Sequence, residues 1–233
     1  MGYGWAFALD GISYVTVLVA IAMMRRSELR PSPPTPRAKH QVRDGLRYVR
    51  RVPELRISFV MLGIVGVLSY NFSVTFPLLV TRSLHGSDAS YTFVYSAFSV
   101  GSLVGALVVA HRSQVRFHAI VAGAAALGLA MGLMAVVPSV LVALPVAVAL
   151  GLASIAYMTS TTAIVQVIAK DDMHGRVLAL QTVLMIGTTP LGGPLLGWIA
   201  DAWGARVPVA IGATGALGAA AYGWMAGRSL GHD

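Results

Sequence analysis

The sequence predicts an all-α membrane protein with seven transmembrane helices, and its composition and hydropathy pattern are the reasons. Hydrophobic residues make up 56% of the 233 residues and charged residues only 11%, with a mean hydropathy of +0.73. Soluble domains carry about 25% charged residues, so this chain has too little polar surface to be one. At about 20 residues per span, the apolar stretches between its turns accommodate seven helices.

Each predicted span is an apolar stretch bounded by charged or proline-containing turns. The spans are residues 4–24, 55–80, 91–110, 117–137, 140–169, 177–202 and 208–225. Gly101 and Gly105 in the third span form a small-xxx-small pair that predicts a close helix contact. In the sixth span, Pro190 and Pro194 flank two glycines, and this cluster predicts a kink.

The stretch Arg25–Arg56 carries ten of the seventeen Lys and Arg residues and cannot lie in hydrocarbon. Its first part is a proline-rich extended linker, and residues 38–52 predict a surface helix. The apolar face of that helix carries Val42, Leu46 and Val49. We expect it to lie in the membrane interface without crossing the bilayer.

The distribution of positive charge predicts the orientation of the chain. If the basic stretch is internal, the internal turns hold fifteen Lys and Arg residues and the external turns two. This places the N-terminus outside and the C-terminus inside a bacterial plasma (inner) membrane. The net charge of +8 does not indicate nucleic-acid binding, because it lies in one loop and a few turns. The lipid bilayer is the expected partner.

Several classes of chemistry are excluded by the residues themselves. The chain has no cysteine, and its six histidines are not spaced to share a metal, so no metal site and no cofactor are expected. A retinal protein needs a lysine inside a span, whereas Lys39 and Lys170 both lie in loops. No hydrolase, metalloprotease or phosphate-binding motif is present, and we expect no enzyme activity.

The polar residues on the faces of the predicted helices are the candidate site. They could converge on a cavity for an amphiphilic molecule, and they are Tyr70, Asn71, Tyr95, Ser154, Tyr157, Thr161, Gln181 and Thr188. The alternative for each Ser and Thr is ordinary hydrogen bonding between helices. Asn71, Gln181 and the tyrosines are stronger candidates, because burying their larger polar groups in lipid requires partners.

Asp10 lies about 9 Å below the outer end of the first span, at 1.5 Å per residue. A carboxylate within a membrane indicates a functional site such as a proton carrier. The alternative is an interfacial residue at a frayed helix start. Both interpretations stay open at this point.

Three stretches resemble the major facilitator superfamily of transporters. They are residues 43–55, with Asp44 and Arg47; residues 172–181, with Arg176; and residues 190–206, with Gly197, Asp201 and Gly204. The similarity is to the branch of bacterial drug and siderophore exporters that includes the enterobactin exporter. His174 stands where that branch more usually has arginine, and residues 110–116 lack the usual acidic residue.

This resemblance implies a half-bundle plus one preceding helix. Residues 1–24 would correspond to the family's sixth helix, 25–54 to its cytoplasmic central loop, 55–228 to its C-terminal six-helix half and 229–233 to a cytoplasmic tail. It implies a secondary-active exporter of small amphiphilic compounds, driven by proton exchange with Asp10 as a coupling candidate. As a truncated C-terminal portion, it would require an N-terminal half as partner. The alternative is a non-transporting membrane remnant or a subunit of a separately encoded pair.

Overall fold

A computed structural model of the chain describes residues 3–24, 41–110, 117–229 and 231. The chain divides into two units, Met1–Arg37 and Ala38–Asp233. The first unit contains α1, Tyr3–Ala22, within which the hydroxyl of Thr16 donates to the carbonyl of Ile12 at 3.0 Å. Helix α1 is 20 residues long, and that it spans the membrane stays a prediction.

The second unit is helical in the part of the chain that the structure describes. Its helices are α2 Gln41–Arg51, α3 Pro53–Leu68, α4 Phe72–Leu78, α5 Asp88–Ala110, α6 Phe117–Val136, α7 Val140–Ile168, α8 His174–Trp203 and α9 Arg206–Arg228. A π-helical turn, Leu79–Ser83, continues α4. Within the described residues, six helical segments are long and apolar enough to cross a membrane, and Ala8–Ala22 is a shorter apolar helix. The predicted fold class of an all-α membrane protein is therefore confirmed.

Small residues let the spanning helices approach closely. Helix α5 packs along α7, α6 packs on α7 and α9, and α3 packs on α8 and α9. A Cβ atom on Gly101 would lie 1.9 Å from the carbonyl oxygen of Val148, and one on Gly151 would lie 2.0 Å from that of Phe98. A Cβ on Gly105 would similarly lie 2.9 Å from the carbonyl oxygen of Leu152. The predicted close contact at Gly101 and Gly105 is confirmed.

The surface helix is present as α2. It packs on α8 and α3 through Gly45 and Val49, both of which are buried. Val42 and Leu46, which we placed on the same face as Val49, are exposed. That this face lies in the membrane interface stays a prediction. Residues 38–40 of the predicted helix lie outside the described residues.

The second predicted span is not one continuous helix. It is interrupted at residues 69–71, between α3 and α4, and ends in the π-helical turn. The prediction of one helix over 55–80 is wrong at this point. By contrast, α8 remains helical through Pro190 and Pro194, where the sequence predicts a kink.

The turns at the two ends of the second unit differ in charge. At one end, the Tyr48 hydroxyl accepts a hydrogen bond from the backbone N–H of Lys170 at 3.2 Å, joining α2 to the turn before α8. At the other end, Arg206 donates to the carbonyl oxygens of Ala135 and Val137 at 2.9 and 2.8 Å, and Arg82 pairs with Asp201. Eight described Lys and Arg residues lie at the first end and two at the second; the eight are Arg43, Arg47, Arg50, Arg51, Arg56, Lys170, Arg176 and Arg228.

Candidate functional site

The interruption between α3 and α4 is built around the side chain of Asn71. In a regular helix the carbonyls of Gly66 and Val67 would each accept a backbone N–H from four residues further along the chain. Here the N–H groups of Ser69 and Tyr70 both donate to the Val65 carbonyl instead. The Asn71 amide nitrogen instead donates to Val67 at 2.8 Å and to Gly66 at 3.4 Å. Its side chain therefore caps the end of α3.

Asn71 also begins the next helix. Its carbonyl oxygen accepts the backbone N–H groups of Val74 and Thr75, each at 3.0 Å, and the Thr75 hydroxyl at 3.1 Å. The side chain is 1% exposed, and its Oδ1 atom has no hydrogen-bond partner in the described part of the chain. The nitrogen and oxygen can be told apart here, because the nitrogen faces carbonyl acceptors. A buried acceptor is thus left at the centre of a span.

Helix α8 lies directly against this interruption. A Cβ atom on Gly192 would be 2.4 Å from the Asn71 amide nitrogen and 2.2 Å from the Val67 carbonyl oxygen, so this position requires glycine. A Cβ on Gly66 would be 2.8 Å from the hydroxyl oxygen of Thr188. That hydroxyl donates to the Met185 carbonyl of its own helix at 2.7 Å. The structure therefore brings Thr188 and Asn71 to the same helix crossing.

Tyr70 connects the interruption to α7. Its hydroxyl donates to the Ser154 carbonyl oxygen at 2.6 Å, and its ring centroid lies 6.4 Å from that of Tyr157. Tyr157 is fully buried, and its hydroxyl makes no hydrogen bond of acceptable geometry within the described residues. Thr161, one turn further along α7, donates to the Tyr157 carbonyl at 2.9 Å. Four of the predicted residues, on α7 and at the interruption, are therefore neighbours.

Phenylalanines extend this group to α5. The ring centroid of Phe98 lies 5.0 Å from that of Phe72, 5.6 Å from that of Phe76 and 5.9 Å from that of Tyr95. Tyr95 is 40% exposed, so it lies at the edge of the aromatic group while Phe76 lies inside it. Aromatic rings pair favourably in offset and edge-to-face arrangements, and an aromatic or apolar ligand can pack against these side chains in the same way.

Gln181 lies on α8 against α7, and its partner there is not the candidate residue Thr161 but the next residue. Its amide nitrogen donates to the hydroxyl of Thr162 at 2.9 Å, and its Oε1 atom is buried without a partner among the described residues. Gln181 is 3% exposed. Within the described residues, the hydrogen bond of Gln181 is to Thr162 and not to the Tyr70 and Tyr157 group.

The site has no formal charge. Among the described residues, every buried polar side chain is uncharged. Three of these side chains, those of Asn71, Tyr157 and Gln181, carry a polar atom without a hydrogen-bond partner. Buried polar atoms in folded proteins almost always find a partner in protein, water or ligand. The arrangement can therefore bind a ligand by aromatic contact and a few hydrogen bonds, and it offers no group for covalent chemistry.

The motif residues have structural contacts. Asp44 and Arg47 lie 3.8 Å apart on α2, and Arg176 donates to the sulfur of Met173 at 3.6 Å. Gly204 ends α8 with a φ of +92°, a conformation that L side chains rarely adopt. Gly197 lies near the side chain of Val74, and Asp201 pairs with Arg82 across the turns. Asp10 belongs to the first unit, within α1.

Sequence reasoning missed several contributors to the site. Ser69 is buried, and its hydroxyl donates to the Gly212 carbonyl at 2.8 Å, tying the interruption to α9. Phe72, Phe76 and Phe98, whose rings pack together, were not among the predicted site residues. The run of three polar residues at 69–71 in the middle of an apolar span was the available signal for the break, because such residues satisfy backbone groups freed from the helix.

Comparison with known proteins identifies the relatives of this fold. A family model described as "Transmembrane secretion effector", MFS_3, matches residues 1–228. The multidrug efflux pump Tap of Mycolicibacterium fortuitum is 30% identical over 164 residues, which are 69% of this chain and 40% of that protein. The chain thus aligns with less than half the length of this curated relative. These findings support a multi-pass membrane protein of a transporter family. The chain belongs to the major facilitator superfamily, in the transmembrane secretion effector family.

Proposed function

We propose that the chain takes part in the export of small amphiphilic compounds, such as drugs or siderophores, across a bacterial inner membrane. Family membership supports transport, and the name of the relative from Mycolicibacterium fortuitum supports export. The observation that carries the proposal is the interrupted span with its buried, uncharged polar atoms beside an aromatic group. Transporters commonly place their substrate sites at such discontinuous helices.

The residues proposed to line the pathway are those predicted from the sequence, with the phenylalanines added. Asn71 and Gln181 supply hydrogen-bond acceptors, and Tyr157 supplies a hydroxyl that can donate or accept. Tyr95, partly exposed on α5, would make the first contact at the edge of the group. A ligand with apolar rings and a few hydrogen-bond donors matches this set.

We propose that residues 55–228 act as the C-terminal six-helix half of a transporter, together with an N-terminal half on the same longer chain or on a separate one. Residues 1–24 would be the preceding helix, 25–54 the central loop and 229–233 the tail. In this superfamily, substrate lies between two halves that rock against each other. The alternative is a membrane component that does not itself transport.

The proposed orientation has the N-terminus outside and the C-terminus inside. Its support is the excess of Lys and Arg at one end of the second unit. Because the natural chain has no cysteine, a single cysteine at Ser87 or at Asp172 can be labelled without interference. A membrane-impermeant maleimide should label Ser87→Cys in intact cells and Asp172→Cys only after lysis. The reverse pattern would overturn this orientation.

Proton coupling through Asp10 is the proposed energy source. The carboxylate lies within the apolar helix α1, and a charge is costly in lipid, so reversible protonation is the chemistry it would supply. Asp10→Asn should abolish uphill efflux while substrate exchange at equal concentrations continues. If uphill efflux persists unchanged, Asp10 is an interfacial residue.

The export proposal is tested in a bacterial strain that lacks its own drug exporters. The chain is expressed alone and with a matching N-terminal half, and efflux of a fluorescent amphiphilic dye is followed in both strains. Efflux with the partner half, reduced by Asn71→Ala but not by Ser73→Ala on the exposed face of α4, is the expected result. Efflux by the chain alone would overturn the need for a second half, and no efflux in either strain would favour a non-transporting component.

A further inference from the structure

A cavity lies between the ends of α6 and α9, away from the interrupted span. It has a volume of about 140 Å³ and is lined by Phe117, His118, Val121, Gly223, Trp224, Gly227 and Arg228. None of these seven residues is acidic. The proposed transport pathway uses none of them.

Two glycines on α9 line this cavity, and both are closely packed. A Cβ atom on Gly227 would lie 2.9 Å from the Cε1 atom of Phe117 on α6. A Cβ atom on Gly223 would lie 2.5 Å from the sulfur of Met61 on α3 and 3.2 Å from a methyl carbon of Val121 on α6. A larger residue at Gly227 would therefore displace the aromatic wall of the cavity.

The positive charge of Arg228 is held at the cavity by an aromatic ring. Its guanidinium carbon lies 3.7 Å from the centroid of the Trp224 ring, which is a cation–π contact. Trp224 is half exposed, and Met225 beside it is also exposed. The side chains next to the fixed charge are thus apolar ones of the type that meets lipid at a membrane interface.

Two residues of α6 add to the cavity's surroundings. The first turn of α6, which the structure describes from Phe117, carries no acidic residue. His118 in this turn lines the cavity and adds a ring nitrogen that can donate a hydrogen bond. The cavity lies at the end of the second unit that holds most of the described Lys and Arg residues.

We propose that this cavity binds the headgroup phosphate of an anionic phospholipid. Arg228 would hold the phosphate, with the His118 ring as a further donor, and the acyl chains would run along the apolar surface beside Trp224. Basic pockets between membrane helices are known to bind anionic headgroups, and a zwitterionic lipid would gain less because its own ammonium group opposes Arg228. In the proposed orientation this cavity faces the cytoplasmic leaflet of the membrane. The proposed lipid binding does not depend on that orientation.

Quenching of Trp224 by brominated lipids tests this proposal. The chain has four tryptophans, so the triple variant Trp5→Phe, Trp198→Phe and Trp203→Phe leaves Trp224 as the sole reporter. In detergent micelles, we expect brominated phosphatidylglycerol to quench it at about tenfold lower mole fraction than brominated phosphatidylcholine, because a charge-assisted hydrogen bond contributes about one such factor.

Arg228→Gln should abolish the preference for phosphatidylglycerol. Arg50→Gln, which removes the same charge from an exposed position on α2, should keep it. Equal quenching by the two lipids in the parent protein would overturn the proposal, as would a preference that survives Arg228→Gln. If the triple variant does not fold, thermal stabilisation of the unmodified protein by each lipid gives the same comparison. Displacement of the bromolipid by millimolar inorganic phosphate would show that the site takes free phosphate and overturn its assignment to a lipid.

Discussion

Replacing Gly101 by alanine should destabilise the packing of α5 on α7. The new Cβ atom would lie 1.9 Å from the Val148 carbonyl oxygen and 2.8 Å from its Cα atom, and both are backbone atoms that no side-chain rotation can move away. Restoring an ordinary separation of 3.4 Å requires the two helices to move apart by about 1.5 Å. The cost is therefore spread along the whole interface.

The magnitude follows from two opposing effects. Overpacking of this kind costs about 1–3 kcal/mol, and the contact with backbone places it at the upper limit. Alanine also favours the helix over glycine by about 1 kcal/mol. A net loss of about 2 kcal/mol corresponds to a fall of roughly 4–8 °C in Tm for a domain of this size. Gly151→Ala, whose Cβ would meet the Phe98 carbonyl, should behave in the same way.

Thermal unfolding of the purified protein in detergent measures this effect. Gly218→Ala on α9 is the matched control, because no atom lies within 4 Å of the added Cβ. We expect its Tm to stay the same or to rise slightly, since only helix propensity changes. A Tm for Gly101→Ala equal to or above that of Gly218→Ala would refute the close contact between α5 and α7.

Three further predictions concern the ends of the bundle and the interrupted span, and thermal unfolding tests each of them. Arg206→Gln should cost about 1.5–3 kcal/mol, because two carbonyl oxygens at the end of α6 lose charged donors; an unchanged Tm would contradict this contact. Asp201→Asn should cost at most about 1 kcal/mol, because its pairing with Arg82 is exposed, and the loss should shrink in high salt. Ser69→Ala should cost about 1 kcal/mol through its lost bond to α9, and a stabilised variant would show that this bond does not form.

The ends of the spanning helices could be predicted from the sequence because charges and turn residues mark them. The structure begins the fifth span at Val140, as predicted. The sixth begins three residues earlier than predicted, at His174. The lipid bilayer sets these helix ends, because a charged residue is costly in hydrocarbon and a span needs about 20 apolar residues to cross it.

The interruption at residues 69–71 could not be predicted in the same way. The break depends on side-chain bonds that hydropathy and periodicity do not describe. The Asn71 side chain donates to the Val67 carbonyl at the end of α3, and the Ser69 hydroxyl donates to the Gly212 carbonyl on α9. Periodicity describes a polar face on a helix, and it does not show whether the backbone carrying that face continues. In α8 the opposite occurs, because the helix continues through both prolines.

The candidate site could be predicted as a set of residue types but not as a set of pairs. The sequence pointed to Tyr70, Tyr157 and Gln181 as buried polar groups; in the structure Tyr157 and Gln181 are buried and Tyr70 is partly buried. It could not show that Tyr70 reaches Ser154 or that Gln181 reaches Thr162. Those partners lie on other helices, and their register is set by glycine contacts that the spacing of polar residues does not reveal. Whether these residues line a pathway remains a prediction.

Tyr157→Phe tests the proposed pathway most directly. The substitution removes only a buried hydroxyl that makes no hydrogen bond of acceptable geometry in the described part of the chain, so the fold should be as stable as before or more so. Tyr222→Phe on α9 is the matched control. In cells expressing the chain with an N-terminal half, we expect Tyr157→Phe to lower dye efflux by roughly three- to tenfold, the contribution of one hydrogen bond to a ligand. Equal efflux by the two variants, at equal abundance in the membrane, would contradict a substrate pathway at this site.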